Sequence, residues 1–267
     1  VLLALRRRQG MGAPVRALLL RGWLSALALA VAVGCSADDR SSADPGSDPS
    51  AESAPHASTV VTESTEAHLV LERLRERFRV AENSQVLGPA LADRVEQDGE
   101  WLRPRLPEGS ERGVTHRATV ALPARATEAF RLGDVDSGLS AEVRLVGTND
   151  VLGEVTGGYV VYRGAYRNGA DVIHRRTEDG DEDYVAFARA PEVPGLEYEI
   201  ALGHEVAGLR LVANTLELLD AGGVPRLRMA PPYVLDATGT QHEAQVHVSG
   251  CAHDRNPREP SGRPVVA

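Results

Sequence analysis

Hydrophobic residues recur at helical spacing in the first half of the chain. Over residues 64–80 the spacing is three or four, with Glu and Arg between, which predicts an amphipathic helix capped by Ser64 or Thr65. Its apolar positions are Ala67, Leu71, Leu74 and Phe78. A second, shorter helix is predicted over 87–97, and its apolar positions are Leu87, Leu91 and Val95.

From Trp101 onward, short β-branched runs alternate with Gly, Asp, Asn and Pro. This texture predicts a mainly β fold, a sandwich or barrel-like β module behind one or two N-terminal helices. Hairpin turns are predicted at Asp179-Gly180 and Gly222-Gly223. Because Phe, Tyr and Trp are sparse, we expect a core of Val and Leu. The predicted strands are 117–122, 141–146, 159–163, 171–176, 184–188, 196–202, 208–213, 215–219, 226–229 and 244–249.

Residues 1–34 have the pattern of an export signal. They contain five arginines and no acidic residue, and the stretch 24–33 is nearly unbroken Leu, Ala and Val. An apolar run of about 10–14 residues is too short to cross about 30 Å of hydrocarbon as a helix. Met11 is an alternative start to Val1. The pattern predicts a cleaved signal peptide.

The end of this signal, Ala32-Val33-Gly34-Cys35, resembles a bacterial lipobox. The resemblance implies that the Cys35 thiol receives a diacylglycerol and that Cys35 becomes the mature N-terminus. Two or three acyl chains anchor a protein stably, so the partner that we expect is a membrane, reached through this lipid. Ser36 follows the cysteine, which favours the outer membrane or cell surface. The alternative is an ordinary cleaved signal with an incidental cysteine.

Changes in amino-acid composition along the chain predict the boundaries of the remaining segments. Residues 35–62 are rich in Ser, Asp, Ala and Pro, which predicts a disordered tether, followed by a helical segment at 63–100 and an all-β module at 101–256. Removing the five arginines of the signal takes the formal net charge from −9 to −14. Such acidity argues against nucleic acid as a partner.

The chain has two cysteines, and lipidation of Cys35 leaves Cys251 without a partner in this chain. An unpaired cysteine in an oxidising compartment is unusual. Residues 257–267 have the character of an interrupted loop. We therefore expect the protein to continue past Ala267 and to supply a downstream cysteine for a disulfide with Cys251.

Six short motifs lie between residues 162 and 252: 162–166 (YRGAY), 170–174 (ADVIH), 182–185 (EDYV), 216–223 (LELLDAGG), 230–237 (APPYVLDA) and 250–252 (GCA). In this order they resemble the β module that precedes repeats in large bacterial secreted proteins. The similar families are the RHS/YD-repeat proteins and the FG-GAP, integrin-like repeat proteins of myxobacterial type. The resemblance implies a structural module without assigned catalytic residues, although no repeat occurs in this chain.

Two regions contain weak metal-ligand candidates. Asp134 and Asp136 are spaced like the opening of a calcium loop, but Leu145 occupies the twelfth position, where an EF-hand needs Glu. On a strand, His247 and His253 would share one face with Cys251, although Ala244, Val246 and Val248 mark the opposite face as the buried one. We therefore assign no metal and no other cofactor. The acidic stretch 178–183 is predicted to be a solvated hairpin tip.

Catalytic signatures are missing. The sequence contains no G-x-S-x-G, H-E-x-x-H, phosphate-binding loop or dinucleotide fingerprint. The expected function is therefore non-enzymatic: a cell-surface lipoprotein module for structure, adhesion or envelope contact, as the N-terminal part of a larger secreted repeat protein. The alternative is the N-terminal segment of a secreted enzyme or toxin whose catalytic region lies outside this chain.

Overall fold

A computed structural model describes residues 58–78, 86–107, 118–177, 180–191 and 195–266, together with the backbone of two short strands nearer the N-terminus. Within these residues the chain is mainly β, with one α-helix, α1 (Thr65–Arg77), and one 3-10 turn (Arg167–Gly169). The strands are β1 (Leu2–Arg6), β2 (Ala28–Ala32), β3 (Thr59–Val60), β4 (Arg94–Asp98), β5 (Trp101–Arg105), β6 (Ala118–Pro123), β7 (Phe130–Asp134), β8 (Ser140–Leu145), β9 (Glu154–Thr156), β10 (Tyr159–Tyr166), β11 (Ala170–Thr177), β12 (Gly180–Ala186), β13 (Tyr198–Leu202), β14 (Gly208–Val212), β15 (Thr215–Leu219), β16 (Pro225–Met229), β17 (Tyr233–Leu235), β18 (Gln241–Glu243) and β19 (Gln245–Ser249).

Two seven-stranded sheets form most of the fold. The first sheet has the strand order β18-β17-β1-β12-β11-β10-β9, and the second has the order β13-β8-β7-β6-β5-β4-β3. All neighbours within them pair antiparallel. A three-stranded sheet, β14-β15-β16, and the parallel pair β19-β2 complete the strand pairing.

The first sheet is buried on both faces, because different elements cover each face. One face shares a hydrophobic cluster with the second sheet, which we call the inner cluster; it includes Val160 and Val185 of the first sheet. The other face shares an outer cluster with α1, which includes Val161 and Tyr184. Side chains alternate between the two faces along a strand, so adjacent residues of one strand enter different clusters.

Helix α1 begins at the predicted cap and ends three residues before the predicted end. The Ser64 hydroxyl accepts a hydrogen bond from the Ala67 amide at 3.2 Å, which satisfies one of the unpaired amides of the first turn. Glu66 in the first turn and arginines in the last turn complement the helix dipole. Its apolar side, including Leu71 and Leu74, is buried on the first sheet. The helix predicted over 64–80 is therefore confirmed, with shorter bounds.

The second predicted helix, over 87–97, is wrong. Leu87 has a positive φ of 48°, and β4 pairs with β5 through a two-residue turn in which Gly99 has a φ of 58°. Asp98-Gly99 is itself a strong hairpin signal. The spacing of Leu87, Leu91 and Val95 matched a helix by coincidence, since Val95 is buried as a strand residue and Leu91 is exposed.

The expectation of a core made of Val and Leu is incomplete. Among the largest fully buried side chains, five are tyrosines, and four of these lie on the first sheet. The chain has six tyrosines, so few aromatic residues still contribute most of the large buried volume. These five are Tyr159, Tyr162, Tyr166, Tyr184 and Tyr198.

Of the ten predicted strands, all recur with small shifts in their bounds. The hairpins at Asp179-Gly180 and Gly222-Gly223 are confirmed as the β11–β12 and β15–β16 connections. Seven further strands were not predicted between 59 and 243: β3, β4, β5, β7, β9, β17 and β18. Two more strands, β1 and β2, lie in the stretch predicted to be the export signal. β1 pairs with β12 and β17, and β2 pairs with β19. The export signal itself stays a prediction.

The segment 257–266 contains no strand and packs along the three-stranded sheet. The Arg210 guanidinium donates to the main-chain carbonyls of Asn256, Pro257 and Arg258 at 3.1–3.2 Å. Arg210 also pairs with Glu217 on the neighbouring strand, and both are buried. One buried arginine therefore fixes this irregular segment to the sheet.

Candidate functional site

The hairpin of β11 and β12 carries the densest set of buried charges in the described residues. Its register places Arg175 opposite Glu182 and His174 opposite Asp183. Because neighbouring residues point to opposite faces, the first pair enters the outer cluster and the second enters the inner cluster. All four side chains are buried.

The inner side of the hairpin holds a histidine–aspartate pair. His174 Nδ1 lies 2.8 Å from Asp181 Oδ2, and both side chains are buried. The His174 ring makes edge-on contacts with Phe130 and Tyr162, at centroid distances of 5.1 and 5.8 Å. A carboxylate on Nδ1 and aromatic rings on its sides fix the orientation of the imidazole.

The Tyr198 hydroxyl completes the inner polar cluster, which we define as His174, Asp181, Asp183 and Tyr198. The Tyr198 hydroxyl donates to Asp183 Oδ2 at 2.6 Å. Close by, the Tyr162 hydroxyl donates to the Pro123 carbonyl at 2.6 Å, which links the two sheets. Burial, and then the Asp181 carboxylate, raise the pKa of Tyr162 well above its ordinary value. Tyr162 is therefore a neutral hydrogen-bond donor here.

A small cavity adjoins this cluster. His174, Asp183, Tyr198, Tyr162 and Glu128 contribute its polar lining. The space that the centre of a water molecule can occupy is about 20 Å³. One water needs roughly 10–15 Å³ by the same measure, whereas drug-sized ligands occupy pockets of about 300–1,000 Å³. The cavity therefore fits about one water molecule and no organic substrate.

The outer side of the hairpin carries the outer polar cluster: Arg175, Glu182, Tyr184 and Tyr233. Arg175 pairs with Glu182, and the Tyr233 hydroxyl donates to Glu182 at 3.3 Å. The Tyr184 hydroxyl accepts from the Leu87 amide at 3.1 Å. Burial lowers the pKa of the Arg175 guanidinium, but Tyr184 and Glu182 outweigh burial, so the net shift is upward. The arginine stays charged, which lets it neutralise the buried carboxylate.

These clusters contradict the predicted solvated tip over 178–183. Asp181, Glu182 and Asp183 are all buried, while 178 and 179 lie outside the described residues. The prediction used only the acidic residues of 178–183 and not the basic residues of the preceding strand. The strand before the turn carries His174, Arg175 and Arg176, which mirror the three acids across the hairpin. That mirrored charge pattern is the sequence signal that could have located both clusters.

The calcium-like spacing at Asp134 and Asp136 belongs to a turn. Asp134 is buried at the end of β7, and its Oδ2 accepts from the Ser137 amide at 3.1 Å and from the Ser137 hydroxyl at 2.5 Å. Asp136 is exposed on the same turn. The Asp134 side chain thus closes the β7–β8 connection, which explains the spacing without a metal ion.

The histidine-rich C-terminal group is dispersed. His247 is exposed on β19 opposite the buried Val246 face, as the alternation predicts. His253 Nε2 accepts from Arg255 at 3.0 Å, and His242 Nε2 lies 3.0 Å from Asp236. Within the described ranges, no three His, Cys, Asp or Glu side chains form a group that could hold a metal ion.

Cys251 is disulfide-bonded. The expected bond between Cys251 and a downstream cysteine stays a prediction. The partner of Cys251 lies outside the described residues, as does Cys35, so lipidation of Cys35 stays a prediction. The chain has two cysteines, so a disulfide within the chain at Cys251 and an acylated Cys35 exclude each other.

Comparison with protein-family models, curated proteins and solved structures found no match to this chain. In the part of the chain that the structure describes, no helix has the length and hydropathy needed to cross a membrane. The site consists of two buried polar clusters inside a β scaffold.

Proposed function

We propose that this chain is a non-enzymatic, lipid-anchored module of an exported protein, placed at the outer membrane or cell surface for structure, adhesion or envelope contact. The observation that carries the proposal is the sequence of residues 1–35: arginines without acids, a short apolar run and a terminal Gly34-Cys35. The resemblance to the N-terminal module of RHS and FG-GAP repeat proteins supports a position ahead of a larger secreted region.

The fold supports a scaffold role. Two seven-stranded sheets that share the inner cluster are consistent with a β-sandwich, an architecture that presents loops and outer strands to partners. Two of the buried charge pairs of the hairpin, His174 with Asp181 and Arg175 with Glu182, bond across its two strands. The adjoining cavity has room for about one water molecule, which favours recognition through the outer surface over chemistry in a pocket.

Two features compete with this proposal. Strands β1 and β2 lie within residues 1–34, and Cys251 is disulfide-bonded. Both features belong to a chain that retains its N-terminus. A processed lipoprotein instead loses residues 1–34 and keeps the sulfur of Cys35 as a thioether. The two forms therefore differ in mass, in acylation and in the reactivity of Cys251.

Expression of the complete chain in a bacterial host that exports lipoproteins tests the proposal. With an alkyne-tagged fatty acid, we expect the wild type to be labelled, to start at Cys35 by intact mass and to sediment with membranes. Cys35→Ala should be neither labelled nor processed. Cys251→Ala is the matched control and should be labelled like the wild type. Labelled Cys35→Ala, or a wild type that keeps residues 1–34, would contradict the proposal.

Thiol titration provides an independent readout. After unfolding without reductant, the processed form should expose one maleimide-reactive thiol per chain, at Cys251. The form that retains its N-terminus should expose a reactive thiol at Cys251 only after reduction. The alternative function, an N-terminal segment of a secreted enzyme or toxin, predicts the same anchor but a catalytic domain encoded beyond Ala267. Reading the gene past that codon distinguishes the two.

A further inference from the structure

Strand β1 lies between β12 and β17 in the first sheet. It pairs antiparallel with β12, from Leu2 opposite Ala186 to Arg6 opposite Glu182. On its other side it pairs antiparallel with β17, from Leu2 opposite Leu235 to Ala4 opposite Tyr233. Neighbouring strands lie about 4.8 Å apart, so β12 and β17 are separated by roughly 10 Å, which leaves room for one strand between them.

This position is enclosed on both faces. Every residue of β12 and of β17 is buried. On the outer side, Tyr184 and Tyr233 belong to the cluster under α1, and on the inner side Val185 and Val234 belong to the cluster between the sheets. A strand between β12 and β17 therefore needs apolar side chains on both of its faces, as a central strand does.

The two edges are also connected without β1. The Tyr233 hydroxyl of β17 donates to Glu182 of β12 at 3.3 Å, across the outer side of the same position. Arg175 of β11 holds Glu182 from the other side. These contacts involve residues 175, 182 and 233 alone, so they do not depend on which strand lies between the edges.

We propose that, in the processed protein, the position between β12 and β17 binds an extended apolar segment of a second polypeptide. This proposal rests on the proposed function, because cleavage before Cys35 removes β1. The sheet then has two edges with unpaired amides and carbonyls, one strand apart. An added strand gains main-chain hydrogen bonds on both sides, whereas strand addition at an ordinary sheet edge gains them on one side.

Two segments of the processed chain, the tether and residues 265–266, are unsuited to supply this strand. The tether is rich in Ser and Asp, and burying such residues without partners is unfavourable. The last apolar pair, Val265 and Val266, already contacts the backbone at Gly208 of β14. The partner chemistry is given by the strand that occupies the position in the precursor. It has about five residues, of which the first four are apolar and the fifth is Arg6 opposite Glu182, and it runs antiparallel to β12 and β17.

The test uses the complete chain, processed in an exporting host and purified, with its N-terminus verified by intact mass. The probe is a fluorescein-labelled synthetic peptide with the sequence of residues 1–8. We expect saturable binding with one peptide per chain, measured by fluorescence anisotropy, and a higher melting temperature with excess peptide. The same peptide with Ala4→Pro loses one main-chain donor and should bind at least about ten-fold more weakly.

A protein variant tests the position itself. Tyr233→Phe removes the hydroxyl that joins β17 to Glu182 and keeps the ring, so we expect several-fold weaker peptide binding with an unchanged circular dichroism spectrum. His242→Gln is the matched control, because it lies on the neighbouring β18 and is exposed. It should bind the peptide like the wild type.

The outcomes separate the two proposals. If the mass shows that residues 1–34 are retained, the proposed function is wrong, and the inference is wrong with it. If the protein is processed but binds neither peptide, or binds both equally, the strand-binding proposal alone is wrong. A concentration-dependent dimer that excludes the peptide would identify the occupant as a second copy and overturn a separate partner.

Discussion

The two large sheets each contain an arginine directly opposite a glutamate, and the surroundings of the two pairs differ completely. In the first sheet, Arg175 and Glu182 have side-chain exposures of 6% and 2%. In the second sheet, Arg131 and Glu142 form the same cross-strand pair, with exposures of 55% and 45%. The local chemistry is identical, so the difference comes from what covers each strand.

The contribution of a cross-strand ion pair to stability therefore depends on whether other elements bury it. Exposed pairs contribute about 0–1 kcal/mol, because water and salt screen both charges. A buried pair contributes little net stability over an apolar replacement, but removal of one partner leaves an uncompensated charge in the interior. The outer cluster, which includes α1, covers the first pair, whereas the second pair lies on a face that is open to solvent.

The largest expected difference between the sheets is in alkaline solution. Burial raises the pKa of five tyrosines of the first sheet above 10. Below pH 10 both the folded and the unfolded states keep these protons, so stability is unchanged. Above pH 10 the unfolded state releases them first, so the folded state loses stability. The five are Tyr159, Tyr162, Tyr166, Tyr184 and Tyr233.

A spectrophotometric titration measures this effect. We expect tyrosinate absorbance to appear at a higher pH than in the urea-unfolded protein, and together with loss of the β signal in circular dichroism. Ionisation of most tyrosines near pH 10, with an intact β signal, would show that the first sheet is not enclosed as described.

Glu182→Gln should be the most damaging of the conservative charge changes. It leaves the Arg175 guanidinium buried without its carboxylate and weakens the contact with Tyr233. We expect a loss of about 3–5 kcal/mol in the free energy of unfolding, measured by urea denaturation. A loss below about 1 kcal/mol would mean that water reaches this pair in solution.

Tyr198→Phe tests the inner side of the same hairpin. It removes the hydroxyl that donates to Asp183 at 2.6 Å, and we expect a loss of about 1–3 kcal/mol in unfolding experiments. Tyr166→Phe is the matched control, because its hydroxyl is buried without a hydrogen-bond partner in the described residues. That variant should be neutral or slightly more stable. Equal losses in both variants would contradict the assigned hydrogen bond.

Ser64→Ala tests the helix that encloses the outer face. It removes the cap that accepts from Ala67 and the hydroxyl that donates to Glu154, and we expect a loss of about 1 kcal/mol. Ser64→Thr retains a capping hydroxyl and should recover most of this stability. If both variants melt alike, the cap contributes nothing to the docking of α1.

Glu142→Gln is the counterpart of Glu182→Gln and should have the smallest effect. We expect a change below about 1 kcal/mol that shrinks further as salt is added. The ratio between the two Glu→Gln losses measures how differently the two sheets are covered. If Glu142→Gln and Glu182→Gln lose similar amounts of unfolding free energy, the two sheets do not differ in how they cover these pairs.

Local patterns predicted much of this fold. Ser64 and the apolar spacing located α1, and the alternation around Val246 located the buried face of β19. The sequence could not predict that α1 covers the face of the first sheet opposite the second sheet, because that depends on contacts between distant segments. For this reason the run Tyr159 to Tyr162 and the charges of β12 were not interpreted as residues buried on both faces.

The candidate site was largely missed for a related reason. Single-residue motifs drew attention to Asp134, Asp136, His247 and His253, which close turns or face solvent. His174 and Asp183 match no catalytic or metal-ligand motif, and only the pairing register brings them together. A disulfide at Cys251 was predicted, and Cys251 is disulfide-bonded, but the partner depends on whether Cys35 carries a lipid.

The mirrored charges of the β11–β12 hairpin also bear on how the chain reaches its fold. If β12 slips by two residues, Asp183 comes to face Val172 and loses its place beside His174. A slip by one residue exchanges the two faces of the whole strand. Each misaligned hairpin would bury at least one charge without a counterion, and such states are too unfavourable to persist. The hairpin charges therefore favour the native strand register over registers shifted by one or two residues.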